Sequence, residues 1–106
     1  DRTIVISDAA SLAGMPAGKY YDFGKEVVIE ATGRIFCPES GGLGGSHSTM
    51  LECMNFLASL KLLGEADLWQ VACTNPLKLL GKDSSVLDKT NGPAVHFEGD
   101  RFIIER

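Results

Sequence analysis

Asp8 is the first residue of this chain whose position suits chemistry, because it follows the β-branched run Thr3-Ile4-Val5-Ile6 and Ser7. Catalytic groups of α/β folds gather at the carboxyl ends of parallel strands, where a carboxylate can take up and return a proton. An acid after a strand also has a purely local use, since a short polar side chain bonds nearby backbone and caps a turn. A second candidate is the loop Gly41-Gly42-Leu43-Gly44-Gly45-Ser46, whose backbone N–H groups could face an anion with a helix start behind them. It is not a P-loop, because no G-K-[ST] follows the glycines, and a linker in which Ser46 or Ser48 helps to cap the helix reads equally well. His47 lies between this loop and the helix, in a solvent-facing or cap position. One histidine makes no metal site, and neither H-x-H nor H-E-x-x-H occurs. Cys37, Cys53 and Cys73 show no C-x-x-C spacing, and neither His47 nor His96 has a context that would activate a thiol. They read as reduced, small hydrophobic residues.

The elements that must carry these residues follow from patterning. Thr3 to Ile6 is continuous rather than alternating, which predicts a strand buried on both faces. Gly14 and Pro16 punctuate a loop over Ala9 to Ala17. Tyr20 to Phe23, Glu26 to Ala31 and Arg34 to Cys37 then read as an antiparallel meander, with turns at Gly24-Lys25 and Thr32-Gly33. Pro38 to Ser46 reads as a flexible loop. Thr49-x-x-Glu52 has capping-box spacing, and the expected helix runs from about Ser48 to Leu63. Leu51, Met54, Phe56, Leu57, Leu60 and Leu63 surround most of it, leaving a polar stripe of Glu52, Asn55 and Ser59; such a helix wants neighbours on more than one side. Gly64 closes it, and Ala66 to Cys73 forms a second helix in which Trp69 is core. Asn75-Pro76 reads as N-cap and first position of a third helix, with Gly81 past its end. After a polar loop from Lys82 to Gly92, Ala94 to Phe97 and Arg101 to Ile104 pair as a hairpin across Glu98-Gly99-Asp100. His96 takes the face opposite Val95 and Phe97 and is exposed.

Composition limits what such a chain can do. Its 106 residues allow one small domain, with apolar residues at 44%, charged residues at 23% and a net charge of −4. Nothing basic invites nucleic acid or an anionic membrane surface. No apolar stretch has the length of a membrane span, and no secretory leader pattern is present, so the expected location is cytoplasmic. The chain begins at Asp1 rather than methionine and enters an apolar run at once. That predicts a piece of something longer.

Four stretches carry a more specific message: I-S-D-A at Ile6 to Ala9, A-G-M-P-A-G-K-Y at Ala13 to Tyr20, L-G-G-S-x-x-T-M at Leu43 to Met50, and A-C-T-N-P-L-K-L-L-G at Ala72 to Gly81. In this order and spacing the chain resembles, from about Thr3 to Gly81, the C-terminal part of N-acetylglucosamine-6-phosphate deacetylases of the amidohydrolase superfamily. The resemblance implies an α/β fold, the C-terminal part of a metal-dependent (β/α)₈ TIM barrel with strands of an accompanying small β-sandwich. Taken alone, the chain would be α+β. Residues 1–81 would supply the last barrel strand, an inserted meander, the glycine-rich loop and the last barrel helices; residues 82–106 would supply a loop and strands returning to the sandwich. Asp8 would be the catalytic base and acid, possible itself as a metal contact, while Leu43, Gly44 and Gly45 would touch the sugar. Asn75-Pro76 would match a structural helix start.

The same resemblance implies a divalent metal ion such as zinc or iron, whose ligands, a glutamate and two histidines, precede this chain. It implies an amino-sugar phosphate as substrate, the missing N-terminal part of the barrel as a partner, and a homo-oligomer. Gly44 stands where the family has alanine or serine, and the family's usual turn before the final strands is absent between Lys82 and Gly92. Because a barrel needs about 250 residues, the expectation is that these 106 do not catalyse alone. Two other readings follow from the same residues: an amidohydrolase acting on a different amide or a cyclic amide, and a non-catalytic α+β remnant that self-associates through its apolar helix.

Overall fold

In a computed structural model of the chain, residues 2–87 and 92–105 are described, and they form a mixed α+β structure. Two compact units divide them: Ser7–Met50, and residues 2–6 together with 51–87 and 92–105. The division cuts across the boundary expected after residue 81, because the terminal strands pack with the helices while the meander builds a core of its own.

In the Ser7–Met50 unit, β1 (Gly18–Asp22), β2 (Lys25–Ile29), β3 (Ile35–Cys37) and β4 (Gly42–Leu43) make one antiparallel sheet in sequence order. The expected meander is present, with its first turn one residue earlier than the sequence suggests. Asp22 pairs with Lys25, so the turn is Phe23-Gly24, both at positive φ (47° and 76°), the backbone that fits a two-residue hairpin to twisted strands. The second turn brings Glu30 and Arg34 into an ion pair at 3.3 Å, and the Arg34 guanidinium lies 4.9 Å from the Phe36 ring centroid. Val27, Ile29 and Ile35 bury the inner face, with Ala10, Leu12 and Tyr20 against them. Ile35 is only 1% exposed. β4 corrects the reading of Pro38 to Ser46 as a flexible loop: Gly42 pairs with Cys37 and Leu43 with Phe36, so part of the loop is a sheet edge.

The second unit begins with a further correction. Thr3 to Ile6 forms no strand, because a strand exists only with a sheet partner and none is present among the described residues. The segment is tied instead to helix, by a bond from Val5 N–H to Val71 C=O (3.2 Å) and one from Asn75 Nδ2 to Thr3 C=O (2.7 Å). The first helix, α1 (Met50–Ser59), starts just after Thr49 but stops short of Leu63. Leu60 and Lys61 turn back to the carbonyls of Leu57 and Ala58, and Lys61 takes positive φ (57°), which ends the helix before Gly64 is reached.

Helix α2 (Glu65–Trp69), a π segment (Gln70–Thr74) and α3 (Asn75–Leu79) follow without interruption. Asn75 therefore does not cap a new helix: Thr74 and Asn75 both have helical dihedrals, and Asn75 N–H reaches back five residues to Gln70 C=O. In that pattern the next donor would be residue 76, and Pro76 has no N–H. Val71 C=O, the carbonyl it would have served, accepts Val5 N–H instead. Gly81 (φ 69°) ends the run as expected: its N–H bonds to Lys78 C=O and that of Lys82 to Leu77 C=O, the two bonds of a Schellman closure.

Within the loop expected from Lys82 to Gly92, Ser84–Val86 forms a 3₁₀ turn whose entry is capped by the Asp83 carboxylate on Ser85 N–H (2.8 Å), while residues 88–91 lie outside the described residues. The terminal hairpin, β5 (Ala94–Glu98) and β6 (Arg101–Glu105), is where the sequence places it. Phe102, 4% exposed, meets the rings of Trp69 and Phe97 edge-on, each at 5.0 Å. Asn55 leaves its expected solvent stripe: its amide donates to Phe102 C=O (3.1 Å) and accepts from Phe102 N–H (2.7 Å), substituting for a neighbouring strand. His96 is half-buried beside Glu98 (3.5 Å) and Glu105 (3.8 Å) rather than fully exposed.

Candidate active site

The Ser7–Met50 unit brings together the two stretches that sequence reasoning singled out. Asp8 is exposed and has left-handed backbone (φ 51°), a conformation that aspartate tolerates better than most residues because its short side chain bonds locally. The residue is thus at a sharp bend rather than at the end of a paired strand. Its carbonyl accepts Ser46 N–H (2.9 Å), and Ala10 N–H donates to Ser46 C=O (2.9 Å), so that Ala9 and Ser46 form a parallel bridge. The last residue of the glycine loop therefore straps the Asp8 bend from both sides.

Leu43, Gly44 and Gly45 run from the sheet edge into that strap. Leu43 pairs with Phe36, on the face opposite Ile35, and is 74% exposed. Gly44 N–H donates to Ile35 C=O (2.9 Å), and a Cβ at Gly44 would come within 3.2 Å of Ile35 Cγ2, so the residue lets the loop lie close on the core. Gly45 is more tightly constrained. Its φ is 111°, and a Cβ would stand 2.9 Å from Ala10 Cβ, closer than side chains approach. Glycine is what allows Ser46 to reach Asp8 and Ala10.

Two further residues complete the arrangement: His47, expected in a solvent-facing or cap position, and Ser11, which the sequence left aside. His47 does not face solvent: half-buried, its Nε2 accepts Gly14 N–H (3.3 Å) and lies 3.4 Å from Met15 C=O. Its Nδ1 is over Gly33, where a Cβ would be 3.5 Å away. Ser11 hydrogen-bonds the Asp22 carboxylate, fixing the other end of the same loop. Ser11 has no local sequence pattern that would have flagged it, and for His47 the one hint is its place between the glycine loop and the helix.

No group of three or more His, Cys, Asp or Glu side chains among the described residues is placed to hold a metal ion, so these residues do not make a metal centre by themselves. Cys37 is buried in β3 and free, as are the half-buried Cys53 and Cys73. Hydrogen bonds from Ser40, first from its backbone and then from its hydroxyl, hold the Cys37 thiol below its ordinary pKa. Among the described residues no helix is long and apolar enough to cross a membrane.

No family model matches the chain. Individual proteins do. A protein of Escherichia coli K12, provisionally named N-acetylgalactosamine-6-phosphate deacetylase, is 32% identical over 83 residues, which is 78% of this chain and 48% of that protein. N-acetylgalactosamine-6-phosphate deacetylase of Escherichia coli O157:H7 is 32% identical over the same share of the chain, which spans 22% of that protein. Among solved structures, N-acetyl-D-glucosamine-6-phosphate deacetylase of Mycobacterium smegmatis superposes with a TM-score of 0.62 at 25% identity, covering 74% of this chain and 22% of the other. The chain therefore spans about half of one curated relative and about a fifth of the other. Over 78% of its length the chain is similar to proteins named as N-acetylgalactosamine-6-phosphate deacetylases.

Proposed function

We propose that this chain is part of an amino-sugar-6-phosphate deacetylase, a hydrolase of the amidohydrolase kind, in which Asp8 moves the proton and Leu43, Gly44 and Gly45 touch the sugar. The observation that carries the reading is the strap: Ser46, directly after Gly45, bonds the backbone on both sides of the Asp8 bend. It keeps the backbone that carries the carboxylate in one place beside the loop, and a proton-transfer group needs a fixed attachment. In amide hydrolysis the carboxylate takes a proton from the attacking water and returns it to the departing nitrogen as the C–N bond breaks, so acetate and a free amine leave. The relatives' names favour N-acetylgalactosamine 6-phosphate or N-acetylglucosamine 6-phosphate as substrate. We place the (β/α)₈ barrel, the ligands of a divalent metal such as zinc or iron, and most phosphate contacts in residues outside these 106, within a cytoplasmic homo-oligomer.

The test uses a longer protein that contains this sequence. Asp8→Asn should lower acetate release from both sugar phosphates by about 100-fold or more, with the fold intact by circular dichroism. Undiminished turnover would remove Asp8 from the chemistry. Activity only on another amide or a cyclic amide would redirect the substrate assignment.

A second reading rests on the exposed apolar residues Phe56, Leu60, Leu62, Leu79 and Leu80. A non-catalytic α+β module would bury them by self-association. Sedimentation of the 106-residue chain as a monomer with cooperative unfolding would dispose of it.

A further inference from the structure

We propose that His47 is a proton-sensitive latch on the loop that leads away from Asp8. One ring nitrogen faces two backbone groups of opposite kind, Gly14 N–H at 3.3 Å and Met15 C=O at 3.4 Å. Uncharged, with its proton on Nδ1, the imidazole accepts from Gly14 through Nε2. Protonated, it carries hydrogens on both nitrogens and can accept nothing. Nε2 then donates to Met15 C=O and opposes the Gly14 N–H, so the loop's anchor moves by one residue.

The surroundings decide that such a change goes to the loop and is not absorbed elsewhere. Ser11 to Ala17, the segment under the ring, contains no charged residue, and neither does Gly45 to Thr49 around the histidine itself. The turn carrying Gly33 supplies Glu30 and Arg34, and these are paired with each other. Asp22, the last residue of β1, is engaged by Ser11. Neither the loop, nor the segment around the histidine, nor the Gly33 turn therefore aims a free carboxylate at the ring. Gly33 lies against the ring edge, where a Cβ would stand 3.5 Å from Nδ1 in ordinary contact. On the other side, Ser46 is the residue before His47 and holds Asp8 C=O and Ala10 N–H. Strap and latch thus grip one continuous segment, from the Asp8 bend to Met15, from two adjacent residues.

The latch itself does not depend on the deacetylase reading; only its influence on a catalytic Asp8 does. The test therefore needs no substrate. Nitrogen-15 and imidazole carbon-bound proton spectra of the 106-residue chain are recorded from about pH 8 down to about pH 5, the span across which histidine charges. Gly14 and Met15 amide signals should move with the same midpoint as the His47 ring, while Val28 and Phe36 in the sheet stay still. In His47→Gln, which keeps an uncharged acceptor, the Gly14 signal should stay near its high-pH position throughout. A Gly14 amide that ignores the His47 midpoint, or that titrates equally in His47→Gln, would overturn the latch. Movement of the sheet amides with the same midpoint would overturn it too, by showing a general loosening. Where the longer protein is active, a change in the pH profile of turnover in His47→Gln would extend the latch to Asp8; an unchanged profile would confine it to the loop.

Discussion

In the Ser7–Met50 unit the buried residues Val27, Ile29 and Ile35 come from two adjacent strands joined by a tight turn. In the other unit Phe102 is buried against Trp69 and Phe97 and hydrogen-bonded by Asn55 of α1, far back along the chain. The first core can form by local pairing, whereas the second waits for the chain's last strand to meet its helices, a contact with a larger loop-closure cost. The difference teaches where each unit is vulnerable: the meander in its strands, the helical unit in one residue near its end.

Substitutions at the two centres give the largest effects. Phe102→Ala should cost about 3 to 5 kcal/mol and shift Trp69 fluorescence to the red, leaving amide-exchange protection at Val28 and Phe36 in place. Ile35→Ala should cost about 2 to 5 kcal/mol and do the reverse. If either change abolishes both signals, the units do not unfold separately and the comparison fails. Asn55→Ala comes next, because it strands both backbone groups of Phe102; a loss of about 2 to 3 kcal/mol is expected from denaturant midpoints. In the meander unit, Gly45→Ala forces a Cβ onto Ala10 at a positive φ and should cost about 1 to 3 kcal/mol, seen as faster exchange at Ser46 and Ala10.

The smallest effect concerns the Asp83 cap. Hydrogen bonds from Ser85, first with the side chain and then with the backbone, hold its carboxyl below the usual carboxylate range. The carboxyl is more acidic folded than unfolded, so its contribution is complete above the unfolded value and is lost as pH falls through the folded one. The Ser85 amide signal should follow that loss on acidification, and Asp83→Ala should remove the response without touching either core.

How much of this was legible depended on whether a feature is local. The meander was readable because β-branched runs coincide with glycine turns; the first turn slipped by one residue because Phe23 takes left-handed backbone that no propensity reports. The run Thr3 to Ile6 has strand composition, but being a strand depends on a neighbour and not on composition. Asn75-Pro76 looked like a helix start because proline usually opens one; the π segment removes the need for a break. Asp8 and the glycine loop were singled out from their own residues and given roles by the resemblance, while the tie between them rests on Ser46 reaching back across the meander. The role of His47 was invisible for the same reason, since its partners Gly14, Met15 and Gly33 come from two other segments.

The π segment Gln70–Thr74 also has a meaning for rotational phase. A π turn holds one residue more than an α turn, and each helical residue advances about 100° around the axis. Deleting any single residue from 70–74 would restore a plain α-helix and swing Asn75 by roughly that angle, away from Thr3. Chain length inside this helix is thus a dial that sets the azimuth of Asn75. An insertion or deletion there would detach the segment leading to Asp8 while every side chain kept its identity.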